Sequence, residues 1–452
     1  MIFANRALLQ TGWVENVRLG IEFGIIKAVT PNTKAELSDT VVDTLLPALC
    51  NLHSHSFQRA MAGMTEFRAA GRDSFWTWRD LMYRFVNCIT PDQIQAIAAL
   101  VFMEMQESGY AAVGEFHYVH HQSGGSPYDD IAELSNQIFA AAMVTGIGLT
   151  HLPVLYTYGG AGEATLSEGQ LRFGNNVERY LQLHDRVRDG LKHLPQDAHI
   201  GMAPHSLRAT SPADLKAALA QRKSGPIHIH IAEQPKEVSD IQNWLGARPV
   251  EWLLQNFELN GNWCLVHATH MTDDETKDMA KSGAVAGLCP ITESNLGDGP
   301  FNGPGFLNAG GAFGVGSDCN VNISLTEELR TLEYSQRLRD VARNVMVIGA
   351  GSVGATLYLG AARGGAKALG RNCGEIRSGH LADLVAIDST RPSLCALKSE
   401  QLLDGLVFAA KDSVVSDVWS AGRHVVSDGR HFAHERIVKN YRIAIKELLA
   451  TT

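Results

Sequence analysis

The sequence has 452 residues, of which 45% are hydrophobic and 19% charged, with a formal net charge of -9 at pH 7. That balance belongs to a folded, enzyme-sized chain with room for one large domain and a smaller one, not to a disordered chain. It argues against a nucleic-acid partner, since no basic block is present, and against a membrane span, since no apolar stretch runs the roughly 20 residues a membrane helix needs.

Residues 1–9 lack a basic start followed by a long apolar segment, so no secretory signal is read. Seven cysteines in no framework spacing point to a reducing, cytoplasmic setting. Residues 1–45 read as short strands at 1–4, 17–21 and 25–29, punctuated by Gly12, Gly24, Pro31 and Asn32. The far end has the same texture, with strand-like runs at 381–387, 403–409, 414–419 and 424–426. Neither end buries a sheet face alone. The expectation is a small β-sandwich domain built from both ends (1–45 and 366–430), a central domain over 46–365 and a closing helix over 431–452.

In the centre, apolar runs at 45–53, 110–118, 147–156, 198–205, 226–231, 262–268, 283–289 and 312–318 are strand candidates. Helical patterns lie between most of them. Thr90-Pro91-Asp92-Gln93 supplies an N-cap, a proline at the first helical position and the glutamine of a capping box. Ser211-Pro212-Ala213-Asp214 repeats the signal. Eight strands alternating with helices predict an α/β protein, a distorted (β/α)8 TIM barrel. A doubly wound sheet would carry a glycine-rich nucleotide loop after its first strand, where this chain has His-x-His.

The first central run ends Leu52-His53-Ser54-His55. Residues two apart on a strand share a face, so both imidazoles reach one point, and neutral imidazole is a good ligand for zinc or a similar ion. Barrel chemistry sits at the C-terminal ends of the strands, and the informative polar residues fall there. In Ile227-His228-Ile229-His230-Ile231-Ala232-Glu233, His230 is nearer the strand end and is the third ligand, while His228 is read as a packed interior histidine. Glu233, just past the strand, reaches a water beside the metal without binding the ion. His267 closes the sixth run and ligates metal or acts as a base beside it, with His270 in the loop that follows. The eighth run ends Gly316-Ser317-Asp318. A buried carboxylate needs a partner or a metal, which makes Asp318 the fourth protein ligand. The expected set is His53, His55, His230 and Asp318, with Glu233 and His267 beside it. No Cys-x-x-Cys pair exists, so the site is built from His and carboxylate, and no lysine closes a strand end to form a bridging carbamate, so one divalent ion is expected.

These motifs resemble the amidohydrolase superfamily, in its branch of single-metal aminohydrolases, over nearly the whole chain. The resemblance implies the barrel with its split β domain, one ion, most often Zn2+, on the four ligands, a proton shuttle at Glu233 and assistance from His267. Four stretches narrow it: Asn51-Leu52-His53-Ser54-His55-Ser56-Phe57-Gln58-Arg59, Phe75-Trp76-Thr77-Trp78-Arg79, Ala203-Pro204-His205-Ser206-Leu207-Arg208 and His230-Ile231-Ala232-Glu233-Gln234. They are similar to the members that release ammonia from N-formimino-L-glutamate in histidine breakdown. The implied reaction is attack of a metal-activated hydroxide on the formimino carbon, leaving N-formyl-L-glutamate, with Glu233, His267 and Asp318 catalytic. One departure is Pro47-Ala48, where the superfamily usually carries Pro-Gly; it is read as a local backbone variation.

A small dicarboxylate formimino substrate calls for two arginines near the mouth, since a guanidinium matches a carboxylate bidentately. Arg208 beyond the fourth run and Arg79 in the long loop after the first are the candidates, with Gln58, Tyr118 and His205 as further substrate contacts. Arg59, Arg68 and Arg72 read as framework or solvated residues, and His117, His120 and His121 as loop lining. Asn295-Leu296-Gly297 shapes the pocket floor or simply makes a turn. A homodimer is expected. The rival readings are an aminohydrolase of a guanine-like or triazine ring, which needs an apolar slot in place of two arginines, and a catalytically dead binding protein. The latter would have lost a ligand or Glu233, and this chain has lost none.

Overall fold

The computed structural model describes residues 1–67 and 75–451; Arg68 and Arg72 lie outside the described residues. Eight parallel strands make the central barrel: β1 (Leu49–Ser54), β2 (Tyr110–His117), β3 (Gly148–Leu155), β4 (the short pieces His199–Ile200 and Ala203–Pro204), β5 (Ile227–Ile231), β6 (Trp263–His267), β7 (Val285–Leu288) and β8 (Ala312–Val315). Each coincides with one of the apolar runs. β2 and β3 are buried at every position, as strands covered on both faces must be, which is why they read as continuous apolar runs.

The barrel is two hydrogen-bonded halves, β1 to β4 and β5 to β8. Isolated bridges join them at Met202–Ile227 and Ser206–His230 on one side and at Ser54–Asp318 on the other. This last seam needs a close approach. A Cβ on Gly316 would lie 2.7 Å from the main-chain N and O of His53, so glycine is what lets the end of β8 lie against β1.

The helix Pro91–Glu107 starts in the capping box expected of Thr90 and Gln93, and Ser211 caps Pro212–Ala220. The two chain ends share one eight-stranded sheet. Its N-terminal strands are Ile2–Leu9, Gly12–Glu22, Ile25–Thr30 and Thr40–Pro47, and its C-terminal strands are Leu384–Ile387, Val415–Ser420, Arg423–Ser427 and Arg430–His431. The ends meet where Leu384–Ile387 runs antiparallel to Thr40–Pro47. The run at 403–409 is not a strand but the helix Leu402–Phe408. Its residues are apolar on nearly every side because the helix is buried nearly all round, and a short run of that kind carries no period to separate helix from strand. The chain closes with the helix His434–Leu449. Among the described residues no helix is long and apolar enough to cross a membrane.

Beneath the barrel a buried ionic hub joins it to the sheet. Arg371, fully buried, donates to Asp383 at 2.5 and 3.0 Å and to Asp197 at 2.8 Å, and Arg423 grips Asp197 at 2.7 and 2.8 Å. Asp383 also accepts the Ala421 amide at 2.7 Å. Asp197 precedes β4, so the hub lies at the N-terminal end of the strands, away from the mouth.

Candidate metal centre

His53 and His55 stand at the end of β1, His230 in β5, and Asp318 three residues past β8. Their ligand atoms all lie within 4.8 Å of one another, and all four residues are buried. His53 Nε2 is 3.0 Å from His230 Nε2 and 3.4 Å from Asp318 Oδ1, which is 3.2 Å from His55 Nε2. The backbone holds this arrangement. Asp318 donates its amide to His53 O at 3.0 Å and accepts the His55 amide at 2.9 Å. Its φ of 45° is the left-handed conformation, and Ala232, His267, Ala268 and Asn320 around the mouth share it. Such strain costs on the order of 1 kcal/mol or more per residue and persists only where the surroundings enforce it. Asn320 is one enforcer, donating to Asp318 O at 2.9 Å and to Ser54 Oγ at 3.2 Å.

The tautomers are set for ligation. His55 Nδ1 lies 2.9 Å from Phe116 O and His230 Nδ1 lies 3.1 Å from His205 O. A carbonyl only accepts, so each Nδ1 carries the proton and each Nε2 turns its lone pair to the centre. Burial pushes His53 down to about 3 and lowers His55 and His230 too, so all three are neutral. Burial pushes the Asp318 carboxyl up, but its contacts with the His53 and His55 rings outweigh it and hold the group well below the usual carboxylate range. Two imidazole lone pairs, His53 Nε2 beside them and a carboxylate converge in a set that fits a divalent cation of zinc type.

Glu233 and His267 stand beside the cluster. His267 Nε2 is 3.8 Å from both Glu233 Oε1 and Asp318 Oδ2, and its Nδ1 is 3.2 Å from Glu293 Oε1. Burial would lower the imidazole, yet these carboxylates raise it to about 10. Burial lifts Glu233 to about 6 against the pull of His267 and Arg208.

Gln58, Arg79, Tyr118, His205 and Arg208 all line one cavity, with His55, His230, Glu233, His267 and Asp318 on its inner wall. Gln58 donates to Tyr118 Oη at 2.7 Å. Arg79 lies over the Tyr83 ring, 5.4 Å from its centroid. Arg208 sits between two carboxylates, 3.5 Å from Glu233 and 3.6 Å from Glu237.

The residues set aside fall elsewhere. His228 is interior and bonds Ala368 O at 2.8 Å. His120 and His121 bond main-chain carbonyls, and neither they nor His117 joins an ion-holding group among the described residues. Arg59 is framework, donating to Asn320 O and Val321 O at 3.1 and 2.9 Å. Leu296 lines the cavity, and Gly297 caps its helix with φ of 72°, so both readings of that stretch hold. Two other triads bring donors as close, Cys50–Cys373–Asp383 and His267–Cys289–Asp318. In the first the carboxylate already belongs to the hub, and the second shares Asp318 with the main cluster.

Sequence reasoning missed Glu237, Glu293 and Asp298. Glu237 is wholly buried and accepts the amides of Ala232 and Glu233, each at 3.1 Å, which clamps the turn carrying Glu233. Its signal was available: Pro235 opens a helix, and a glutamate two residues later is placed to reach back over the chain before it. Asp298, raised by burial to about 9, accepts from Gln234 and has no comparable signature.

Comparison with known proteins fits this geometry. A profile described as the amidohydrolase family matches residues 44–425, and one described as the N-terminal domain of formimidoylglutamate deiminase HutF matches residues 1–41. The chain is 48% identical to formimidoylglutamate deiminase of Pseudomonas aeruginosa, over 99% of each sequence. It is 26% identical to a 5-methylthioadenosine/S-adenosylhomocysteine deaminase of Natronomonas pharaonis, over 85% of this chain and 81% of that one. Among solved structures, an amidohydrolase from Brucella melitensis superposes with a TM-score of 0.95 at 46% identity, covering 99% of both chains.

Proposed function

Because this chain belongs to the amidohydrolase family, we propose that it is a metal-dependent deiminase, hydrolysing N-formimino-L-glutamate to N-formyl-L-glutamate and ammonia in histidine degradation. One observation carries the substrate. Arg208 and Arg79 line the same cavity as the ligand cluster, so a dicarboxylate held by both arginines can present its formimino carbon to the cluster. Gln58, Tyr118 and His205 complete the contacts along the way.

A divalent ion, proposed as one Zn2+ per chain on His53, His55, His230 and Asp318, supplies a water acidic enough to attack near neutral pH. The protein's own groups do the rest. Asp318 Oδ2 and His267 face each other across the attack side and orient the nucleophile. His267, held as an imidazolium by its carboxylates, stabilises the negative charge that develops as the C–O bond forms. Glu233, lifted by burial to about 6, is the carboxyl beside the cluster that can change state near neutrality. It relays the water's proton to the imine nitrogen and then the hydroxyl proton to the same nitrogen. The C–N bond breaks, ammonia leaves and the formyl C=O remains.

The test is ammonia release from formiminoglutamate, formiminoaspartate and guanine, with metal analysis of the same preparation. Release from guanine alone would transfer the function to the ring-deaminating reading. We further propose a cytoplasmic homodimer. All seven cysteines are free thiols, in keeping with a reducing compartment, and sedimentation velocity checks the dimer.

A further inference from the structure

Arg172 heads the fully buried side chains in volume. A buried guanidinium ordinarily faces a carboxylate. Here none of the described residues supplies one, and the donors go mainly to main-chain carbonyls, with Nη2 donating to the Tyr128 hydroxyl at 3.5 Å. Nε donates to His121 O at 2.7 Å, and Nη1 donates to Val86 O and to Ile89 O, the latter at 2.9 Å. Val86 lies in the last turn of the helix Phe75–Cys88, and Ile89 follows its end. The guanidinium therefore supplies donors that the helix end lacks, and its charge suits the negative end of the helix dipole. In the other direction, Arg172 O accepts the amides of His120 and His121 at 2.9 and 3.0 Å.

One residue thus braces three loops, those that follow β1, β2 and β3. Each supplies a wall of the cavity: Arg79 and Tyr83 from the first, Tyr118 from the second, Tyr156 and Phe173 from the third. The fit is tight, since a Cβ on Gly169 would lie 2.6 Å from the Tyr83 ring. Arg79 and Val86 stand two helical turns apart and share a face, so holding the carbonyl at Val86 fixes the rotation that aims Arg79. Arg172 itself is not among the residues lining the cavity.

We infer that Arg172 is a positioning residue, which sets the depth and rotation of the helix Phe75–Cys88 so that Arg79 meets the substrate. The inference rests on the proposal that Arg79 binds a substrate carboxylate. Arg172→Met removes every donor while keeping an apolar chain of similar reach. Its KM for formiminoglutamate should rise about 10- to 100-fold, the scale of an ångström of misplacement. Its kcat and metal content should stay near those of the parent. In an Arg79→Ala background the same change should add little, because the group it aims is gone. Arg172→Lys, which reaches fewer carbonyls, should raise KM less and in the same direction; it carries the test if the Met variant does not fold.

Full additivity of Arg172→Met with Arg79→Ala overturns the inference. So does an equal loss on neutral formamidine, or an unchanged KM in a folded Lys variant. An unchanged KM in Arg79→Ala overturns the substrate reading as well. A raised KM there, with additive behaviour of Arg172, overturns this inference alone.

Discussion

The molecule buries charge in two places and treats it in opposite ways. In the hub beneath the barrel, Arg371, Asp197, Asp383 and Arg423 close on one another, with each carboxylate held by an arginine at ordinary hydrogen-bond distance. At the mouth, three imidazoles and the Asp318 carboxylate converge on a single point, with histidines beside the carboxylate. The backbone there is also strained, at Asp318, His267, Ala268 and Ala232. Buried polarity is therefore not by itself a sign of function. A closed network holds a fold together, whereas a network of converging acceptors requires something from outside.

The largest effect that sharpens this contrast is loss of a ligand. His230→Ala or His55→Ala should remove most bound metal and nearly all activity. Elemental analysis should find about one ion per chain in the parent, and two tightly held ions would break the single-metal reading. Next comes Glu233→Gln, which should keep metal and fold while lowering kcat at least about 100-fold. Near-normal turnover would mean that another group carries the proton.

Arg208→Ala should lower kcat/KM for formiminoglutamate by roughly 30-fold to several thousand-fold, the loss of about 2–5 kcal/mol of charge-assisted contact. Neutral formamidine should lose little. Arg208 also flanks Glu233, so equal losses on both substrates would mean that it serves the acid–base group instead.

On the hub side, Arg371→Met should leave the chemistry per folded molecule intact and lower stability by about 3–5 kcal/mol, because it strands buried carboxylates. Chemical denaturation with an activity assay on the folded fraction checks both halves.

The smallest effect is a pH limb. Burial pushes Asp197 up, but its bond to Arg423 and the charges of Arg371 and Arg423 hold it down at about 2. The folded value lies below the unfolded one. Its contribution, about 2–3 kcal/mol, is complete above roughly pH 4 and is lost as pH falls toward 2. Asp197→Asn should flatten that limb of an acid-unfolding curve.

The sequence disclosed the mouth far better than the hub. His53, His55, His230, His267 and Asp318 were legible because barrel chemistry has a fixed address, the end of each apolar run, and polar residues at those addresses stand out. Arg371, Asp197 and Asp383 sit in connections, and nothing local marks a charge that will be buried by a distant partner. Arg172 was invisible for the same reason, since its partners are carbonyls of residues 51 to 86 positions away. The helix Leu402–Phe408 was misread because burial on nearly all sides erased its period.

The seam between the ends of β1 and β8 has a consequence in time. Asn51 and Ser317, which hydrogen bond across it, are 266 residues apart in the chain. At a synthesis rate of about 5–20 residues per second, the first two histidines wait some tens of seconds before their carboxylate partner exists. Until then they lack a member of the four-ligand set. The complete ligand set thus forms only when the ring closes, because the same seam brings Asp318 to the histidines.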